Sequence, residues 1–273
     1  MTIGGGTMKK HFIREKRTYC NEKYCEVDII PRSRTQERAV KGKRAKRTKE
    51  SAPKQKNLND KNSRRYLVQL INGNFDEGDY HLTTTYKPKY MPKTIEEADK
   101  MATNFLGRIS YAMKKKGEVL KYVIVTEYVE EDGKIRNIHH HIIMNSGLSR
   151  DKIEDLWSVR RKKGEKKGES LGYTNCDRLQ LGENGLEAIA MYITKNRGAK
   201  GKKGWSSSRN LVRPESIKND HKYRSKRKIE KIAKENDNSF WEKQYPEYNI
   251  TSIEKIYYED TGWHIYLKMW KKE

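Results

Sequence analysis

Three consecutive histidines, His139, His140 and His141, stand in the stretch NIHHHIIMNSG of a chain that has only seven histidines in 273 residues. In an extended strand alternate residues share a face, so His139 and His141 point one way and His140 points the other, with Ile138 and Ile142. Two imidazoles on one face can grip a single cation, although the same pattern suits polar surface residues. Glu127, in the preceding run VIVTEY, offers a third ligand. Two imidazoles and a carboxylate with open positions suit Mg²⁺ or Mn²⁺ used as a Lewis acid on a phosphate, and they would also take zinc.

Whether Glu127 reaches the histidine face depends on the turn between the two strands. A strict two-residue loop at Asp132 and Gly133 sets Glu131 against Lys134 and Glu127 against Ile138, on the wrong side. A three-residue loop, Glu131 to Gly133 with Gly133 left-handed in a bulge, sets Glu127 against Asn137 and on the right side. The metal reading therefore predicts an odd-length loop. Further along, AMYITKN places Tyr192 and Lys195 three residues apart on one helix face, while Leu186, Ile189, Ala190 and Ile193 form the apolar stripe. A tyrosine beside an ammonium can act as a nucleophile once its phenolic proton is removed. Taken alone, one of seventeen tyrosines on a helix is as readily a packing residue.

The elements that must position these groups begin near Tyr66. DYHLTTTY is β-branched and aromatic and predicts a strand. TIEEADKMATNFLGRISYAMKKKG opens with Thr94 and has Glu97 three residues on, a capping box, then Ala98, Met101, Phe105, Ile109 and Ala112 at helical spacing. LKYVIVTEY and KIRNIHHHIIM form a hairpin across EEDG. SRDKIEDLW is a short helix, YTNCDRLQL a further strand, and ENGLEAIAMYITKN a second long helix. That order predicts an α+β fold: an antiparallel central β-sheet flanked by helices.

Around this core the chain divides into three regions. Residues 1–65 hold a short β element, TYCNEKYCEVDIIP, able to dock on the main domain, followed by the Lys/Arg-rich run 34–65, which predicts a disordered or phosphate-tracking linker. Residues 66–214 form the central domain. Residues 215–273 comprise a basic helix over 218–236 and a terminal hairpin around the EDTG turn. The net charge of +23 points to a polyanionic partner, nucleic acid first. Three cysteines without a CxxC argue against a disulfide framework or a cysteine zinc site. No apolar run is long enough to span a membrane and no secretory signal pattern is present, so a cytoplasmic location is expected.

Glu127, then His139-His140-His141, then the helical Tyr192-Ile193-Thr194-Lys195, all after the strand HLTTTY, resemble the HUH endonucleases, named for histidine, hydrophobe, histidine. Within that superfamily the arrangement looks like the rolling-circle replication initiators of phages and plasmids. It covers roughly Tyr66 to Leu211, and GWSSSRNL resembles a Trp-containing Ser-Arg segment of phage-type initiators. The resemblance implies an RRM- or palm-like sheet on which Glu127, His139 and His141 hold a divalent metal ion, Mg²⁺ or Mn²⁺. Tyr192 would attack the scissile phosphodiester of single-stranded DNA or an origin hairpin, leaving a 5′-phosphotyrosine and a free 3′-OH, and Lys195 would steady the phosphate. His140 departs from the pattern by filling the hydrophobe slot, and Ala188 stands where two-tyrosine initiators carry their other tyrosine, which argues for a single-tyrosine enzyme.

In the basic loop after the tyrosine helix, Trp205 can stack on an unpaired base and Arg209 can clasp a phosphate, though Trp205 serves equally well as a small-core anchor. No GxxxxGK[ST] is present, so unwinding and synthesis would fall to a host helicase and polymerase. Two rivals stay open: a relaxase or single-tyrosine transposase, and a non-catalytic origin-binding protein with the same fold.

Overall fold

The computed structural model describes residues 11–41, 53–132, 134–160, 163–164, 167–195, 204–235 and 237–272. In chain order the elements are β1 (His11–Tyr19), β2 (Tyr24–Ser33), α1 (Arg34–Lys41), α2 (Pro53–Asn72) and β3 (Tyr80–Thr84). Next come α3 (Ile95–Lys114), β4 (Tyr122–Glu131), β5 (Lys134–Met144), α4 (Arg150–Leu156), β6 (Thr174–Arg178) and α5 (Glu187–Tyr192). The last are β7 (Ser206–Ser207), β8 (Glu215–Asn219), α6 (Lys226–Lys234), α7 (Ser239–Gln244), β9 (Tyr248–Tyr258) and β10 (Gly262–Lys271). The chain divides into two compact units, Ser63–Val212 on the one hand and Met1–Asn62 with Arg213–Glu273 on the other. Each carries a five-stranded antiparallel sheet flanked by helices, an α+β architecture.

In the central unit the strand order is β6-β3-β5-β4-β7. One face carries Leu82, Ile124, Ile138, Ile142 and Met144 against the buried side of α3 (Ala98, Ala102, Phe105, Ile109, Met113) and against Ile153 and Trp157 of the α4 segment. Met101 and Ala112, expected in the α3 stripe, lie at its half-buried margin. Helix α3 starts where the capping box predicts: the Thr94 hydroxyl accepts from the Glu97 amide at 3.1 Å, and the Glu97 carboxylate accepts from the Lys93 amide at 2.8 Å. The opposite face carries Val123, Val125 and Ile143 against Leu67, Leu70 and Ile71 of α2 and Leu186, Ala190 and Ile193 around α5. Both faces are thus covered, and the histidine side of β5 is the α2/α5 side.

The other unit has the order β8-β1-β2-β10-β9, with Tyr223, Ile229, Ile232 and Trp241 of the α6 and α7 region packed on Val27, Ile29, Ile265 and Leu267. Contrary to expectation, the N-terminal β element does not join the sheet of the central unit. Its β2 pairs with β10, Val27 opposite Leu267, because alternating apolar residues in the two termini give each strand a face to bury against the other. The basic run is not a uniform linker: 34–41 is helical, α2 begins at Pro53, and 42–52 lies outside the described residues. The predicted basic helix over 218–236 is shorter, since 215–219 pairs with β1 as β8 and α6 starts only after Ser225, whose hydroxyl caps Lys228. Among the described residues no helix is long and apolar enough to cross a membrane.

Candidate metal centre and nucleophile

The hairpin β4–β5 solves the register problem in a way the turn alone does not reveal. Glu131 pairs with Lys134, Glu130 with Ile135 and Val129 with Arg136, the register of a two-residue loop, so the predicted three-residue loop is wrong. Gly133, for which a left-handed conformation was expected, lies outside the described residues. Beyond Val129 the register shifts, and Glu127 pairs with His139 rather than with Asn137. One residue of β4, Tyr128, opposes two of β5, Asn137 and Ile138, which makes a β-bulge. Asn137 takes a left-handed conformation, φ 53°, one that asparagine tolerates better than most residues. The bulge supplies the odd residue that the loop lacks, and the carboxylate arrives on the histidine face.

Glu127 Oε2 lies 3.6 Å from Nε2 of His139 and 3.6 Å from Nε2 of His141. These separations exceed hydrogen-bond length, so the three groups converge without bonding one another. Their ligand atoms all fall within 4.8 Å. Donors about 2.1 Å from a shared ion stand about 3.0–3.4 Å apart, so this set fits a divalent cation with a slight contraction. The free lone pairs support the same fit. His139 Nδ1 is 2.8 Å from the Asn137 carbonyl, which can only accept; Nδ1 therefore carries the proton and Nε2 is left as the ligand atom. The bulge residue thus orients a ligand as well as setting the register.

His141 is buried, 3 % exposed, between Thr83 and His81 of β3. Burial, with His81 and then His139 adding to it, pushes the His141 imidazole down to about 4, so it is neutral and able to ligate at ordinary pH. Burial likewise lowers His81. His140 faces the other side of the sheet, where it is fully buried. There Tyr86 Oη lies 2.6 Å from its Nε2, its Nδ1 lies 3.0 Å from Thr126 Oγ1, and the Thr126 hydroxyl donates to Asp99 at 3.2 Å. Tyr86 donating and Nδ1–H donating onward satisfies every member of this chain. Burial pushes the His140 imidazole down to about 3. His140 thus fills an apolar slot as a neutral, fully bonded group.

Tyr192 ends α5, which is shorter than the predicted helix, with Ile193 to Lys195 continuing as a turn. Ala190 and Ile193 are buried, while Tyr192 is 57 % exposed. Its ring stands edge-on to His141 at 5.4 Å and to His81 at 6.3 Å between centroids. The start of α5 is held by Asn72 at the end of α2, which accepts from the Leu186 amide at 2.7 Å and donates to the Asn184 carbonyl at 3.2 Å. Lys195 lies exposed one turn after Tyr192, its amide donating to the Tyr192 carbonyl.

Trp205 and Arg209 flank β7, on the β4 edge of the sheet. The Trp205 indole stacks on Tyr66 at 6.1 Å, donates to Ser63 Oγ at 3.2 Å and packs against the α2/α5 cluster, the contacts of an anchor. Arg209 is exposed. Residues 196–203, between these and Tyr192, lie outside the described residues.

Sequence reasoning passed over His81. It shares a face with Thr83 on HLTTTY, but only the pairing of β3 with β5, Thr83 opposite His141, brings it to the site. A histidine in an otherwise apolar and Thr-rich strand was the available signal.

Residues 79–197 match the family of replication-associated proteins described under ORF2, less than half of the 273 residues. The match is consistent with a rolling-circle replication protein and takes in Glu127, His139, His141, Tyr192 and Lys195. No curated protein and no solved structure matches the chain.

Proposed function

We propose that the segment similar to replication-associated proteins nicks and rejoins single-stranded DNA at a rolling-circle origin. The observation that carries this reading is an exposed tyrosine seated against a ligand histidine of a Glu-His-His cluster, inside that matching segment. A divalent cation held by Glu127, His139 and His141, Mg²⁺ or Mn²⁺, would supply Lewis acidity at the scissile phosphate. Tyr192 Oη forms a bond to phosphorus as the bond from phosphorus to the 3′ oxygen breaks. The phenolic proton leaves Tyr192, a proton ends on the departing 3′ oxygen, and the 5′ strand stays attached as a phosphotyrosine. The covalent link conserves the phosphodiester, so reverse attack by a 3′-OH rejoins the strand.

Accessibility supports this role, since Tyr192 is open to a strand lying over the sheet's α5 side while the apolar stripe of α5 stays buried. Lys195 steadies the phosphate from the following turn. Arg209 contacts the backbone of the DNA, and Trp205 contributes chiefly as an anchor for the β7 segment, with base stacking as its second use. The free 3′-OH serves a host polymerase, and a host helicase opens the duplex.

The test is a denaturing gel of the full chain with Mn²⁺ and single-stranded origin DNA or a randomised pool. A slow-migrating, nuclease-sensitive adduct is expected with the parent, none with Tyr192→Phe, and none with His141→Ala although DNA binding survives. An adduct in Tyr192→Phe would move the nucleophile elsewhere. Tight binding with no adduct from the parent would favour the non-catalytic origin binder.

A further inference from the structure

We infer that His81 is a positioning residue for the metal centre, accepting a hydrogen bond from Nδ1–H of His141 and so keeping the Nε2 lone pair of His141 turned toward Glu127 and His139. The inference rests on reading those three residues as a metal site.

His81 Nε2 lies 3.2 Å from His141 Nδ1, with the two rings stacked at 5.3 Å and 17°. Between two neutral imidazole nitrogens at this distance one carries the proton and the other a lone pair. If the proton is on His141 Nδ1, its Nε2 is free to ligate. If His81 donates instead, His141 must carry its proton on Nε2, aimed at the Glu127 carboxylate 3.6 Å away, and the site is closed to a cation.

The two ligand histidines differ in how this choice is made. For His139 a backbone carbonyl forces it, because a carbonyl can only accept. For His141 the other neighbour of Nδ1 is the Thr83 hydroxyl at 3.3 Å, which can donate or accept and so decides nothing. The tautomer of His81 is what discriminates. An Nδ1–H His81 presents a lone pair at Nε2 and does for His141 what the Asn137 carbonyl does for His139. His81 also touches the edge of the Tyr192 ring, so one side chain borders both the ligand and the nucleophile. Neighbours that fix the tautomer of a ligand histidine commonly change metal affinity about 10- to 100-fold when removed.

Two variants separate hydrogen bonding from packing. His81→Phe keeps a flat ring against His141 and Tyr192 but has no acceptor, whereas His81→Gln keeps an acceptor near the Nε2 position and loses the ring. Titration calorimetry of the full chain with Mn²⁺ is expected to show His81→Phe binding about 10-fold or more weakly and His81→Gln close to the parent. Nitrogen-15 spectra of the histidine rings in the metal-free parent are expected to place the His141 proton on Nδ1. Equal Mn²⁺ affinity in His81→Phe and parent, equal losses in both variants, or a His141 proton on Nε2 would overturn the inference. His139→Ala serves as the control on the underlying reading. If it binds Mn²⁺ like the parent, the metal centre itself is misassigned, while the metal-free spectra still decide the role of His81.

Discussion

Tyr192 sits on a helix of six residues, too short to persist alone, so its position depends on what holds the helix from outside. Asn72→Ala removes that hold. Asn72 is 2 % exposed, and its carboxamide oxygen is the acceptor for the Leu186 amide, at a helix start that has no side-chain cap of its own. Truncation leaves this buried N–H unpaired, about 1–3 kcal/mol, and gives up the bond to the half-buried Asn184 carbonyl, which water can largely replace at about 0.5 kcal/mol. The sum, about 2–3 kcal/mol, corresponds to an opening of α5 about 30- to 150-fold more frequent. Amide hydrogen exchange reads this directly at Ala190 and Ile193, whose N–H groups bond to Leu186 and Ile189. Asn72→Asp retains the acceptor and loses the donor, so its exchange should rise only a few-fold. Phosphotyrosine formation should slow in Asn72→Ala while Mn²⁺ affinity holds, because the ligands stand on β4 and β5. Unchanged exchange at both amides in Asn72→Ala would refute the clamp.

Three further outcomes follow from the geometry. A Cβ on Gly172 would lie 2.1 Å from the Thr85 carbonyl oxygen, between the Thr85–Tyr173 and Lys87–Leu171 backbone bonds, so Gly172→Ala should cost at least about 1–3 kcal/mol in urea unfolding. Asn137→Val forces a β-branched residue into left-handed backbone at a cost of about 1–2 kcal/mol and should weaken Mn²⁺ binding by shifting the carbonyl that orients His139, whereas Asn137→Gly should leave both nearly intact in the same two assays. Glu37, beside Arg14 and then Arg32, is held at about 2 against an ordinary 4.5. A depressed carboxyl stabilises the fold above its unfolded value, so the contribution should be complete above about pH 4.5 and disappear as pH falls toward 2. Acid unfolding of Glu37→Gln should lack that segment of the curve.

Several parts of the site were readable from local pattern. Alternation along β5 put His139 and His141 on one face and His140 on the other, the capping box located the start of α3, and the apolar stripe of α5 left Tyr192 outside. Each depends on the period of one backbone element, which neighbouring residues carry among themselves. The register of β4 against β5 was not readable. Turn chemistry at Asp132–Gly133 set one parity, and the bulge at Asn137 reversed it a few residues later, so loop length predicted the right face by the wrong route. Nor could the sequence place His81 beside His141, or join β2 to β10 across most of the chain.

The amino-acid order by itself determined which residues could ligate, which could attack and which face each would take. Tertiary structure alone decided that Glu127, two histidines and Tyr192 meet, that His81 borders them, and that the two termini build a second sheet. Strand adjacency is selected by which apolar faces bury best across long separations, a property of the whole packed chain that no local period encodes.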